Sequence, residues 1–161
     1  MQPDLFRLIS DTVERELPHL RAVAEEGSRL TPFGGEGWTT KEELGHLLDS
    51  AANNHIRFVA AALSPGEFRG AGYAQDAWVT LHGYQEVPWD ELIELWRLHN
   101  RALARVIGRI PAERLGTICT IGSEAPETLR FVIEDYVLHM QHHIDHLLAR
   151  ERITTYPAAR D

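Results

Sequence analysis

The sequence predicts an all-α protein: a four-helix bundle with a long crossover between its second and third helices. Four long segments carry apolar residues at helical spacing, and no segment shows the alternation of a half-buried strand. Stretches rich in Gly and Pro separate these segments. The chain has 161 residues, of which 43% are hydrophobic, enough for one core in one domain. The domain is expected over 1–153, with 154–161 as a loosely ordered tail.

The first helix is expected over 3–26, with Leu5, Ile9, Val13, Leu17, Leu20 and Val23 as its inward stripe. Pro18 falls inside it and should kink it. Residues 30–37 form a loop. The second helix starts at Thr39 or Thr40, because Thr39 with Glu42, or Thr40 with Glu43, matches a capping box. It runs to Leu63, before Ser64-Pro65-Gly66. The connection over 64–87 is long enough to be functional or to hold a short helix, and 73–82 has the composition for one or two turns. The third helix opens at Pro88-Trp89-Asp90-Glu91, with proline and acids in its first turn. Its stripe is Leu92, Trp96, His99, Leu103, Val106 and Ile110, and Pro111 ends it. The fourth is expected from Pro126 to Arg150.

The net charge is −8 and no basic run appears, which argues against a nucleic-acid partner. No apolar stretch is long enough to span a bilayer, and the N-terminal residues lack the pattern of a secretory leader. The one cysteine, Cys119, excludes an intramolecular disulfide and a multi-cysteine zinc site. A cytoplasmic protein in a reducing compartment is expected.

The chemistry concentrates in Leu138-His139-Met140-Gln141-His142-His143-Ile144-Asp145-His146. At about 100° per residue, the four imidazoles share roughly one third of a helix surface. Histidines at i and i+4 can share a metal ion, and two pairs have that spacing. Val132, Ile133, Tyr136, Met140, Ile144 and Leu147 form the apolar stripe. His139 and His143 flank it, whereas His142 and His146 turn towards solvent, so the first pair is preferred. Two ligands make half a site. Periodicity favours His99 as the third, because His46 lies with Asp49, Asn53 and Arg57 on a polar stripe opposite Leu44, Leu47 and Leu48. Met140 follows His139, so the built-in general base of His-Glu-x-x-His metalloproteases is absent.

A resemblance redirects the choice of third ligand. The run Trp38-Thr39-Thr40-Lys41-Glu42-Glu43-Leu44-Gly45-His46-Leu47-Leu48-Asp49-Ser50, continued by Asn54-His55-Ile56-Arg57-Phe58, resembles the second-helix motif of the DinB/YfiT-like family. Gly72-Tyr73-Ala74-Gln75-Asp76-Ala77-Trp78, Leu98-His99-Asn100-Arg101 and the histidines of the fourth helix are similar to the YfiT branch. The resemblance covers 38–148. It implies a four-helix bundle holding one divalent metal on His46, His139 and His143. Zinc is the first expectation, with nickel, iron and manganese as alternatives. It implies a small-molecule substrate and a metal-dependent hydrolase or a transferase using a low-molecular-weight thiol as cosubstrate. A non-catalytic metal- or ligand-binding bundle is the alternative. Asp49, Asn53, Arg57 and His99 are the candidate substrate-pocket residues, and a homodimer is expected.

Overall fold

Four long helices pack in a ring: α1 (Pro3–Arg21), α3 (Thr40–Leu63), α5 (Trp89–Ile107) and α6 (Leu129–Leu147). The computed structural model describes residues 2–157. α1 lies between α5 and α6, and α3 lies between the same two helices on the other side, so α1 and α3 stand on the diagonal. Consecutive long helices are therefore not all neighbours. The crossover after α3 leads to the adjacent α5.

Each helix contributes one apolar stripe to a single core. Leu5, Ile9 and Val13 come from α1, Leu44, Leu47 and Phe58 from α3, Leu92, Trp96 and Leu103 from α5, and Ile133, Met140 and Ile144 from α6. Full burial of each such side chain contributes about 1.5–3 kcal/mol. One buried polar pair ties α5 to α6: Tyr136 donates its hydroxyl to Asn100 Oδ1 at 2.6 Å. The stripe expected on α5 is corrected here. Leu92, Trp96 and Leu103 are buried, but Asn100 takes the inward place and His99 is only half-buried.

The helix starts follow local chemistry. Thr39 caps α3 and forms the expected capping box with Glu42. Glu43 is thereby left free for another role. Thr128 caps α6, its hydroxyl accepting from Phe131 N–H at 3.2 Å. The chain leaves α6 through Ala149 at φ 49°, the left-handed conformation that often ends helices.

Two boundaries differ from expectation. The first helix ends at Arg21, one turn after Pro18, and a separate short helix α2 (Glu25–Ser28) follows. Tertiary bonds fix that break: the Glu25 carboxylate accepts from Lys41 Nζ at 2.6 Å and from Trp89 N–H at 2.8 Å. Lys41, itself fully buried, also donates to Val87 O at 2.6 Å. Glu25 thus joins the starts of α3 and α5. At the other end of the chain, α6 begins at Leu129 because the two residues before it are in a strand.

That strand belongs to a small sheet, which corrects the expectation that the chain holds no strands. β1 (Phe68–Gly70) pairs in parallel with β2 (Ile118–Ile121), and β2 pairs antiparallel with β3 (Glu127–Thr128). Sequence patterning cannot reveal strands of two to four residues whose partners lie far along the chain. The crossover also contains α4 (Gln75–His82), within the 73–82 segment expected to turn, and a 3₁₀ turn at Tyr84–Glu86. Tyr84 lies directly on Gly45: a Cβ at position 45 would sit 2.0 Å from Tyr84 Cδ2. Glycine at this point of α3 is required by that approach.

Candidate metal centre

Ridge positions on two facing helices create the site. α3 brings His46 and α6 brings His139 and His143, the latter two one turn apart. One ring nitrogen from each of the three lies within 4.8 Å of the other two. His46 Nε2 and His139 Nε2 are 3.1 Å apart. Tetrahedral zinc, with Zn–N bonds of about 2.0–2.1 Å, separates its ligand nitrogens by roughly 3.4 Å. The spacing therefore suits one small divalent cation.

The electrostatics suit it too. His46 is fully buried, and desolvation, helped by His143, pushes its pKa down to about 3. Burial first, and then the three neighbouring imidazoles, hold His139 well below its ordinary value. Both rings are therefore neutral at pH 7 and present lone pairs. His143 Nδ1 lies 2.6 Å from Glu43 Oε2. When that nitrogen donates to the carboxylate, the ring's proton is held there and Nε2 is left as an acceptor for metal, the arrangement found behind many zinc-bound histidines. Glu43 is itself buried, and His146 Nδ1 lies 2.8 Å from its other oxygen, without hydrogen-bond geometry. Trp38 covers His46, ring to ring at 4.8 Å.

A cavity of about 770 Å³ opens beside the triad, with His139 in its wall. α3 supplies Ser50, Asn54 and Arg57, the crossover supplies Gly72 and Tyr73, and the segment around β2 supplies Cys119. Tyr136 and Asp135 line it from α6, next to His139. Its phenols are protonated at neutral pH. Burial, with Asp49 nearby, pushes Tyr73 up to about 12, and burial also raises Tyr156. Tyr156 belongs to the segment expected to be a loose tail. Its ring stands 5.3 Å from His139 and 5.4 Å from His142. A clamp at the end of α6 turns the chain back that way: Asp145 accepts from Arg150 Nε and from Ile153 N–H, each at 2.9 Å.

The candidate residues divide between two faces of α3. His46 and Arg57 face the triad and its cavity. Asp49 faces a separate, more open groove of about 620 Å³, together with His55, His82, Tyr84 and His99. There Tyr84 donates to Asp49 Oδ1 at 2.6 Å and His82 Nδ1 lies 3.0 Å from the same oxygen. His99 packs against His55 at 5.6 Å, so it joins neither His46 nor the α6 histidines. Asn53 lines neither cavity and donates to Asp49 O at 2.9 Å. The expectation from periodicity that His46 faces solvent and His99 completes the triad is overturned: the polar stripe of α3 faces α6 at His46. His142 lies outside the triad, against Tyr156.

Glu43 and Tyr156 were missed from the sequence. The spacing Glu43-x-x-His46, which puts the two on one helix face, was the available signal for the first. For Tyr156 there was none.

Comparison with known proteins accords with this geometry. The chain is 29% identical over 161 residues to YfiT of Bacillus subtilis (strain 168), spanning 94% of this chain and 85% of that one. YfiT's name assigns it provisionally to the metal-dependent hydrolases. A protein of Bacillus mycoides (strain KBAB4), given the same provisional assignment, is 31% identical over 153 residues, with 93% of this chain and 79% of that one covered. The solved structure of Bacillus subtilis YfiT, described as a probable metal-dependent hydrolase with an unusual four-helix bundle topology, superposes with a TM-score of 0.78 at 21% identity. That match covers 91% of this chain and 83% of that one and shows a shared fold. The family model described as DinB superfamily matches residues 9–147, which include all three histidines of the triad. With the bundle, its diagonal helix order and that match taken together, the chain belongs to the DinB superfamily and is YfiT-like within it.

Proposed function

We propose that the protein is a metal-dependent hydrolase of a small molecule, with one divalent ion, zinc in the first instance, held by His46, His139 and His143. One observation carries this reading: three imidazoles from two helices converge beside a cavity that His139 lines, with Glu43 behind His143. The provisional names of the relatives support the same class. Held by these three residues, zinc would lower the pKa of bound water and polarise a carbonyl.

The chain's own residues supply the rest. Glu43 holds the His143 proton on Nδ1. Trp38 keeps bulk water away from His46. Tyr73 and Tyr156, as neutral phenols, can donate hydrogen bonds to a substrate oxygen in the cavity. The cavity volume lies within the range usual for small-molecule sites.

The test is metal analysis of tag-free protein, because a histidine tag would add imidazoles of its own. One equivalent of divalent metal is expected per chain. His46→Ala, His139→Ala and His143→Ala should each lose most of it, and His142→Ala should retain it. Equal loss from His142→Ala would overturn the ligand set. With the metal loaded, hydrolysis of activated esters is expected; turnover that requires an added low-molecular-weight thiol would instead assign the site to a thiol S-transferase.

A further inference from the structure

The cavity beside the triad contains a cation, Arg57, that pairs with no carboxylate among the described residues. Arg57 is half-buried in its wall. Its Nη2 donates to Ala71 O at 2.6 Å, and its Nη1 reaches Asn54 Oδ1 only at 3.4 Å. The guanidinium carbon stands 5.9 Å from the centre of the Tyr73 ring. These are neutral partners. By contrast, Arg15, Arg29, Arg97, Arg130 and Arg150 each contact a carboxylate. Among the described residues, Arg57 forms no ion pair within the structure. Burial even pushes its pKa below the ordinary guanidinium value. Taking a cation out of water without a counter-charge is costly, and an anionic ligand bound there would offset that cost.

The surroundings hold the group in place. The carbonyl of Ala71 fixes one edge and the Tyr73 face supports the plane, which leaves the remaining N–H groups to form a fork for a planar acceptor. Eleven residues separate His46 from Arg57 along α3, or about 16 Å of helix rise. The two ends of the site are therefore far enough apart for an extended ligand. Glu124, Glu127 and Asp135 also line the cavity, each with interactions of its own. They disfavour a multiply charged anion and leave a single carboxylate as the fitting group.

We propose that Arg57 anchors a carboxylate at one end of an elongated substrate whose reacting group lies at the three-histidine site. The inference rests on the proposed metal centre for the second half of that statement. Its first half, the carboxylate at Arg57, stands alone.

The experiment uses the zinc-loaded full chain and calorimetric titration with three probes, and with a phosphate-ended hydroxamate as a fourth. Suberic monohydroxamate carries a metal-binding head and a terminal carboxylate, octanohydroxamic acid lacks the carboxylate, and suberate lacks the hydroxamate. The carboxylate-bearing hydroxamate should bind about tenfold or more tighter than its methyl-ended equivalent, the range of a hydrogen bond to a charged group. Arg57→Met should abolish that difference, and Arg57→Lys should restore part of it, while both keep the wild-type zinc content. Equal affinity of the two hydroxamates for the wild-type protein would overturn the proposal, and that comparison needs no variant. An advantage that persists in Arg57→Met would overturn it too, as would tighter binding of a phosphate-ended probe. If neither hydroxamate gains from the metal but suberate still binds in an Arg57-dependent way, the metal reading fails and the carboxylate site stands.

Discussion

Adding one methyl group at Gly45 should do more damage than truncating most surface side chains. The alanine Cβ would sit 2.0 Å from Tyr84 Cδ2 and 2.3 Å from Cγ, so the ring has to leave. Tyr84 is 7% exposed, and its hydroxyl donates to the buried Asp49 carboxylate at 2.6 Å. An aromatic side chain buries about 150–250 Å², worth at most roughly 4–6 kcal/mol of transfer free energy. A hydrogen bond to a charged group adds about 1.5–3 kcal/mol. Alanine returns about 1 kcal/mol through its better helix propensity. The displaced ring will recover part of its burial elsewhere, so the net loss for Gly45→Ala is about 3–5 kcal/mol. Urea unfolding followed by circular dichroism measures it, with m held common to the wild type. The control is the same substitution in a Tyr84→Ala background. There the clash is gone, and Gly45→Ala should be neutral or stabilising by up to about 1 kcal/mol. The reasoning is wrong if Gly45→Ala costs as much in that background as in the wild type, or if alone it changes stability by less than about 0.5 kcal/mol.

Other expectations follow from the site and its supports. Glu43→Gln should weaken zinc binding about 10–100-fold in chelator competition while leaving the circular dichroism unchanged, because the carboxylate behind His143 is lost. Glu25 has its pKa lowered from 4.5 to about 2, chiefly by the Lys41 hydrogen bond. A depressed carboxylate stabilises the fold above its unfolded value, and that stability disappears as pH falls between those two values. Glu25→Gln should therefore lower Tm at pH 7 and flatten the dependence of Tm on pH across that window. Cys119 is 2% exposed and burial raises its pKa, so iodoacetamide should label it slowly at pH 7.5 in the native protein and fast in urea. Comparable rates would place the thiol at the surface.

The long helices were legible because their signals are local. Thr39 and Glu42 announce the start of α3 within four residues, and His139 with His143 places two imidazoles on one face of α6. His46 shows where local reading stops. Helical periodicity separates apolar from polar faces but does not say whether a polar face meets water or another helix. Here it meets α6, and only the resemblance in the surrounding motif identified it. His99 failed in the opposite sense: the apolar stripe of α5 rotates by one residue so that Asn100 reaches Tyr136, and His99 is carried to the other groove. Glu43 was hidden by ambiguity, since Thr40 and Glu43 also fit a capping box. β1 and Tyr156 owe their positions to partners some 50 and 17 residues away, at Cys119 and His139, and carry no pattern of their own.

The parallel pairing of β1 with β2 has a consequence for how a ligand would enter. It fastens the crossover to the segment that leads into α6 through main-chain bonds, extended by Gly122 N–H to Gly70 O at 2.9 Å. The two walls opposite α3 are thus one piece. The entropy of ordering 64–87 is lost during folding and not at each binding event, so the cavity is ready-made for its ligand. It also follows that a substitution that breaks the ladder, such as Gly70→Pro, whose N–H faces β2, should loosen both walls together. Such a change should weaken ligand binding while sparing the three histidines, which stand on helices that the sheet does not contain.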